Sequence, residues 1–368
     1  EAATGVRPAL IYAVFAPSAI SETAEVTNEL ELILVTPTGR PIRRRMGKTR
    51  EEVLKVATDF RTTVSNPQRR TAYLAPSQQM YRWIVAPLEE DIQALGINNL
   101  VFIMDAGLRS IPLAALHDGN GFIVERYSVG LMPSLALADL RYVDVRDRLV
   151  LAMGAEKFAN QTALPAVPIE VEAIAEQIWQ GKALLNEEFT LANLQAARAR
   201  APYGIVHLAT HGEFRPGQLS NSYIQFGDTQ LGLDELRSLK WYDPPVDLLV
   251  LSACRTALGD EEAELGFAGL AVLAGVKTAM GSLWYVSDEG TLGLMTVFYE
   301  QLRNAPIKAE ALREAQLAMI RGEVRVENGQ LITPHRSFPL PPQFQNLDGR
   351  TLDSPYYWSG FTMIGSPW

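Results

Sequence analysis

Residues 204–212 read Gly-Ile-Val-His-Leu-Ala-Thr-His-Gly, and residues 247–255 read Asp-Leu-Leu-Val-Leu-Ser-Ala-Cys-Arg. Each is a short apolar run with a strand pattern, and each runs into polar residues that carry chemistry, His211 in the first and Cys254 in the second. In an open parallel sheet, ligands bind beyond the carboxyl ends of the strands. If these two strands are neighbours, both side chains face one crevice. The separation of 43 positions from His211 to Cys254 is enough for the crossover that a parallel pair requires.

The pattern continues outward from these two runs. Strands are expected at 149–153, 183–185, 204–208, 247–251, 278–284 and 357–364. Helices are expected at 169–179, 190–199, 265–274, 288–302 and 308–320. Strand and helix alternate, which predicts parallel βαβ units with six strands in the core sheet. Upstream, 9–15 and 30–35 read as a hairpin, and 49–64 and 77–95 show helical spacing with a kink at Pro87. Residues 99–104 form a further apolar strand, followed by a short helix and a second hairpin around Gly119 and Gly121. The expected fold class is α/β, with a smaller α/β subdomain over residues 1–147 preceding a larger domain over residues 148–368. Residues 321–352, rich in Pro, Gly and Asn without a period, read as a long surface loop. Arg43, Arg44 and Arg45, beside Gly39 and Pro41, read as a solvated turn.

At 368 residues the chain is long enough for a large core, and 47% hydrophobic with 20% charged residues is a globular balance, not a disordered one. A formal net charge of −9 disfavours broad electrostatic binding to nucleic acid or to anionic lipid. Cys254 is the only cysteine, so an intrachain disulfide and a cysteine-based structural metal site are both excluded, and a reducing, cytoplasmic compartment fits. The longest apolar stretch, 266–284, is interrupted by Lys277 and several glycines. It reads as a helix followed by a buried strand, so no membrane partner is expected. The first residue is Glu1, without a Met, which leaves room for an upstream segment.

A thiol beside an imidazole is a nucleophile beside a base: His211 takes the proton, and the thiolate attacks a carbonyl carbon. Acyl transfer follows, and the nearest donors for the oxyanion are the backbone N–H groups of Gly212 and Cys254. The spacing equally allows a plain structural pair, with Cys254 a small buried core residue and His211 a satisfied loop histidine. His207 reads as a core histidine, His117 as a surface-loop residue, and His335 as uninvolved. Neither a phosphate-binding nor a dinucleotide-binding glycine motif is present, nor a paired-histidine helix motif, and no metal or other cofactor is expected.

Residues 207–214, His-Leu-Ala-Thr-His-Gly-Glu-Phe, resemble the histidine motif of the CHAT domain family. Residues 249–259, Leu-Val-Leu-Ser-Ala-Cys-Arg-Thr-Ala-Leu-Gly, resemble its cysteine motif, with Arg255 where that family usually has Gln. Three further segments match: 266–270 with 274–276, Ser282-Leu283-Trp284 with Val286 and Asp288, and 356–365. Residues 103–127 are similar to the region preceding the catalytic half, so the likeness covers about residues 100–368. The resemblance implies a caspase-like three-layer sandwich with a mostly parallel sheet, and a His211–Cys254 dyad that cleaves peptide bonds. By similarity to separases, it implies a pseudo-caspase-like N-terminal subdomain.

The expected partners are a protein or peptide substrate and a regulatory protein or tetratricopeptide-repeat region. Related metacaspase-like and separase-like enzymes hold a basic P1 residue with acidic side chains, and Glu156 and Asp288 occupy matching places. Asp288 reads alternatively as the N-cap of the helix that follows it. Caspase relatives also cut their own loops, which makes the region of Arg198 and Arg200 and the 321–336 stretch candidate cleavage sites. A Cys-His acyl-transfer enzyme of another class and a catalytically silent scaffold are the competing readings.

Overall fold

The computed structural model describes residues 1, 3–17, 27–69, 71–213, 221–252 and 266–368. β1 (Pro8–Pro17), whose burial alternates over its first six residues, pairs with β2 (Asn28–Val35) as an antiparallel hairpin, and β3 (Ile42–Thr49) adds to its edge. Helix α1 (Arg50–Val64) starts at a capping box. The Thr49 hydroxyl accepts the Glu52 N–H, and the Glu52 carboxylate accepts the Thr49 N–H. Its stripe of Val53, Ala57, Phe60 and Val64 is buried. Helices α2 (Leu74–Ile84) and α3 (Glu89–Ala94) follow, separated by a turn that contains Pro87. The fully buried β4 (Asn99–Met104) and the short β5 (Ser128–Leu131) complete this half.

The second half alternates as expected. It runs through β6 (Val150–Gly154), α4 (Val167–Glu172), β7 (Gly181–Leu185), α5 (Leu191–Arg200) and β8 (Ile205–Ala209). A small three-stranded sheet then forms from β9 (Gly212–Glu213), β10 (Tyr223–Gln225) and β11 (Gln230–Gly232). Next come β12 (Leu248–Ser252), α6 (Gly266–Leu273), β13 (Thr278–Ser282), α7 (Asp288–Leu302) and α8 (Lys308–Ile320). The chain ends with β14 (Arg325–Glu327), β15 (Gln330–Ile332), β16 (Ser337–Pro339), α9 (Pro355–Trp358) and β17 (Phe361–Gly365).

Among the described residues, eleven strands make one sheet in the order β3-β2-β1-β4-β5-β17-β13-β12-β8-β6-β7. Most neighbours in it are parallel. β1, β4, β5 and β17 run one way, and β13, β12, β8, β6 and β7 run the other, with the reversal at the antiparallel β17–β13 pair. Carboxyl ends of parallel strands therefore open on opposite edges of the sheet in the two halves. Residue 147 lies in the connection between β5 and β6.

Three expectations are corrected. Arg43, Arg44 and Arg45 lie on the edge strand β3, not in a turn. Arg43 and Arg45 pair with the nearly buried Glu31 carboxylate, and Arg44 pairs with Asp91 at 2.8 Å. A row of charged side chains on an edge strand opposes its pairing with another chain. Within 321–352, which read as a loop, β14, β15 and β16 pair as an antiparallel meander, because alternate residues Val326, Leu331 and Phe338 find cover in the core. Arg198 is no accessible cleavage site. It lies within α5, and its guanidinium donates to the Leu239, Lys240 and Pro244 carbonyls at 2.6, 3.0 and 3.0 Å and stacks on Trp241.

Candidate active site

β8 and β12 are parallel neighbours, so both carboxyl ends open on the same edge. Ala209 pairs with Ser252, and that 43-residue offset equals the separation of His211 from Cys254 in the sequence. Cys254 itself lies outside the described residues. Beyond β8, the Thr210 hydroxyl donates to the Gln225 carbonyl at 2.6 Å, and the His211 carbonyl accepts the Gln225 N–H at 2.9 Å. The turn after the strand is thus fixed by β10. Close approach of β6 to β8 also needs Gly154, where a Cβ would stand about 2.5 Å from the Ala209 carbonyl oxygen.

The His211 ring is half-buried. Its Nε2–H donates to the Thr162 carbonyl at 2.7 Å, and the Phe158 ring meets it edge-on with centroids 5.0 Å apart. With Nε2 engaged, the neutral ring carries its lone pair on Nδ1, which has no hydrogen-bond partner among the described residues. Burial lowers the pKa of His211, and the Thr162 carbonyl opposes that shift. Both the direction of the shift and the engaged Nε2–H favour the neutral ring.

A cavity of about 490 Å³ opens beside His211, lined among others by Thr162, Leu164, Glu170, Gly212, Tyr285 and Asp288. Gly212 opens β9 and is buried. Asp288 is not the helix cap, because the Ser287 hydroxyl accepts the Gly290 N–H at 3.0 Å and takes that place. The Asp288 carboxylate reaches across to accept the Ala166 N–H at 2.8 Å. Burial raises its pKa to about 7, with Glu170 and Glu289 adding to the rise and the Ala166 bond opposing it. Glu156 does not line this cavity. Its N–H donates to the Asn186 side chain at 3.0 Å, and its carbonyl accepts the Leu164 N–H at 2.7 Å.

His207 is fully buried between two partners. Its Nε2 meets Glu170 at 2.9 Å, and the Tyr299 hydroxyl meets Nδ1 at 3.2 Å. This network joins α4, β8 and α7 directly behind the cavity. Among the described residues no helix is long and apolar enough to cross a membrane, and no three His, Cys, Asp or Glu side chains group as a metal-ligand set. Thr162, Phe158 and Glu170 were not foreseen. Thr162 acts through its carbonyl, which no side-chain motif marks, and Glu170 sits within an ordinary amphipathic pattern.

Residues 74–366 match the family model of the CHAT domain. The chain belongs to the CHAT domain family. No curated protein matches it by sequence. Among solved structures it is similar to the separase of the Saccharomyces cerevisiae separase–securin complex, at TM-score 0.59 and 10% identity, covering 99% of this chain and 30% of that one. It is also similar to the pro- and mature-domain complex of Porphyromonas gingivalis RgpB, at TM-score 0.49 and 11% identity, covering 86% of this chain and 76% of that one. A third similar structure is the Arg-specific cysteine proteinase gingipain R, at TM-score 0.48 and 12% identity, covering 85% and 75%. The CHAT chain thus has the caspase-like α/β fold, built on a large, mostly parallel central sheet.

Proposed function

We propose that this CHAT domain is a cysteine endopeptidase in which His211 is the base and Cys254 the nucleophile. The observation that carries the reading is the His211 ring, held beyond the carboxyl end of β8 by the Thr162 carbonyl and lining the cavity, with no partner on Nδ1 among the described residues. In this scheme the Cys254 thiol gives its proton to Nδ1, and the thiolate attacks the scissile carbonyl carbon. The Gly212 and Cys254 N–H groups stabilise the oxyanion. The imidazolium then protonates the leaving amine, and water releases the acyl group by the same base.

Residues 148–368 would form the catalytic unit and residues 1–147 a pseudo-caspase-like brace. Asp288, half-buried beside the cavity, favours a basic P1 residue, since a cation offsets the cost of a partly desolvated carboxylate. Glu156, outside the cavity lining, is the weaker candidate. Separase is bound to securin in its structure, and a protein regulator, or a tetratricopeptide-repeat region, is proposed here on the same fold. The expected compartment is the cytoplasm.

The test is cleavage of a positional-scanning fluorogenic peptide library by wild type, Cys254→Ala and His211→Ala, with and without calcium. Activity abolished in both variants and a preference for Arg or Lys support the reading. A folded wild type that is silent at every P1 residue favours a scaffold.

A further inference from the structure

A second cavity, of about 500 Å³, lies on the opposite edge of the sheet and is lined by Tyr12, Asp105, Arg109, Ser134 and apolar residues such as Ile103 and Leu135. It occupies, for the reversed strands, the place that the His211 cavity occupies for the others. β1, β4 and β5 are parallel, and this cavity opens where their carboxyl ends lie. Open parallel sheets bind ligands there. Directly after β4 the chain turns through Gly107, whose φ of +91° lies in the left-handed region, and the turn brings Asp105 and Arg109 to the same cavity.

The polar groups of this lining are only partly used by the protein. Arg109 Nε donates to the Met104 carbonyl at 2.7 Å, which fixes the guanidinium, while its two Nη groups have no protein partner among the described residues. One Asp105 oxygen accepts the Phe15 N–H at 2.7 Å, and the other accepts no hydrogen bond there. The Tyr12 and Ser134 hydroxyls are likewise without protein partners among the described residues, and Asp105 and Arg109 form no ion pair with each other. An anchored cation, an anchored anion, two hydroxyls and an apolar wall thus surround one space.

We propose that this cavity binds a small zwitterion, an α-amino acid with an apolar side chain. The carboxylate pairs with the Arg109 Nη groups, the ammonium meets Asp105, and the side chain lies against Ile103 and Leu135. A simple anion would meet uncompensated Asp105, and a simple cation uncompensated Arg109. Only a ligand carrying both charges satisfies the whole lining. Binding involves no covalent step.

The experiment is calorimetric titration of the whole chain with L-leucine, leucinamide and isocaproate. Saturable leucine binding is expected, weaker by about tenfold or more for leucinamide and for isocaproate, each of which lacks one charged group. Arg109→Met is expected to abolish it. That variant also loses the bond to Met104, so Leu135→Trp provides the second test. Leu135 is 38% exposed, and the larger ring fills the apolar side while Arg109 keeps its side chain and its bond to the Met104 carbonyl. Absence of saturable leucine binding to wild type overturns the proposal, as does unchanged binding in both variants. Isocaproate binding as tightly as leucine removes the role of Asp105 and overturns the zwitterionic ligand.

Discussion

At the residue scale, Asp288 sets folding stability against its proposed role at the cavity. Its pKa is raised from 3.8 to about 7, so the folded chain binds this proton more tightly than the unfolded one. The sign follows from linkage: stability falls as pH rises from about 4 to about 7, and the penalty is fully present above that range. Asp288→Asn keeps an acceptor for the Ala166 N–H but cannot ionise. It should be more stable than wild type by about 1–3 kcal/mol at pH 8, a gain that vanishes toward pH 4. Urea denaturation at the two pH values measures this, and an equal difference at both would refute the assignment. The same variant should lose preference for Arg or Lys at P1. His211 is shifted in the other direction, so on the proposed mechanism the acid limb of kcat/KM should fall below the ordinary histidine value of about 6.5.

At the scale of elements, the buried Glu170–His207–Tyr299 network holds α4 and α7 to β8, and so sets the position of the strand that leads to His211. Removing one end of the network differs from removing the other. Tyr299→Phe gives up one neutral hydrogen bond and should cost about 1 kcal/mol. Glu170→Ala strips a fully buried imidazole of its carboxylate and opens space beside the cavity, and should cost about 2–4 kcal/mol. Chemical denaturation of the two variants checks the order, and a larger loss in Tyr299→Phe would contradict this account. Arg198 plays a comparable part on the other side of the sheet. Its three carbonyl partners tie α5 to residues 239–244, so incubation of active protein should yield no fragment cut after Arg198.

At the scale of the whole molecule, the two halves share one sheet and more than one seam. β5 pairs with β17, Arg313 of α8 donates to the Val124 and Glu125 carbonyls at 2.8 and 2.7 Å, and Trp368 Nε1 donates to Asn99 at 3.2 Å. Residues 148–368 expressed alone would expose the edge of β17 and the apolar side of α8, and an uncovered edge invites pairing with other copies. Size-exclusion chromatography and thermal melting should show that fragment associating and melting below the intact chain. A monomeric fragment with an unchanged melting temperature would show that the N-terminal half is no brace.

The sequence by itself determined the alternation of strand and helix, the placement of His211 just beyond the end of β8, and the burial of His207. These follow from apolar periodicity and from the positions at which apolar runs stop, which are local properties. Helices α7 and α8 even begin and end where their patterns do. The tertiary structure alone decided the rest. Only four residues long, β5 carries too little periodicity to be recognised, yet it joins the halves. The reversal of strand direction arises at β17, which pairs on one side with β5 and on the other with β13. The Thr162 carbonyl reaches His211 across 49 residues, and Asp288 reaches Ala166 across 122. Contacts of that range form only when the sheet has brought the strand ends together, so no local pattern announces them.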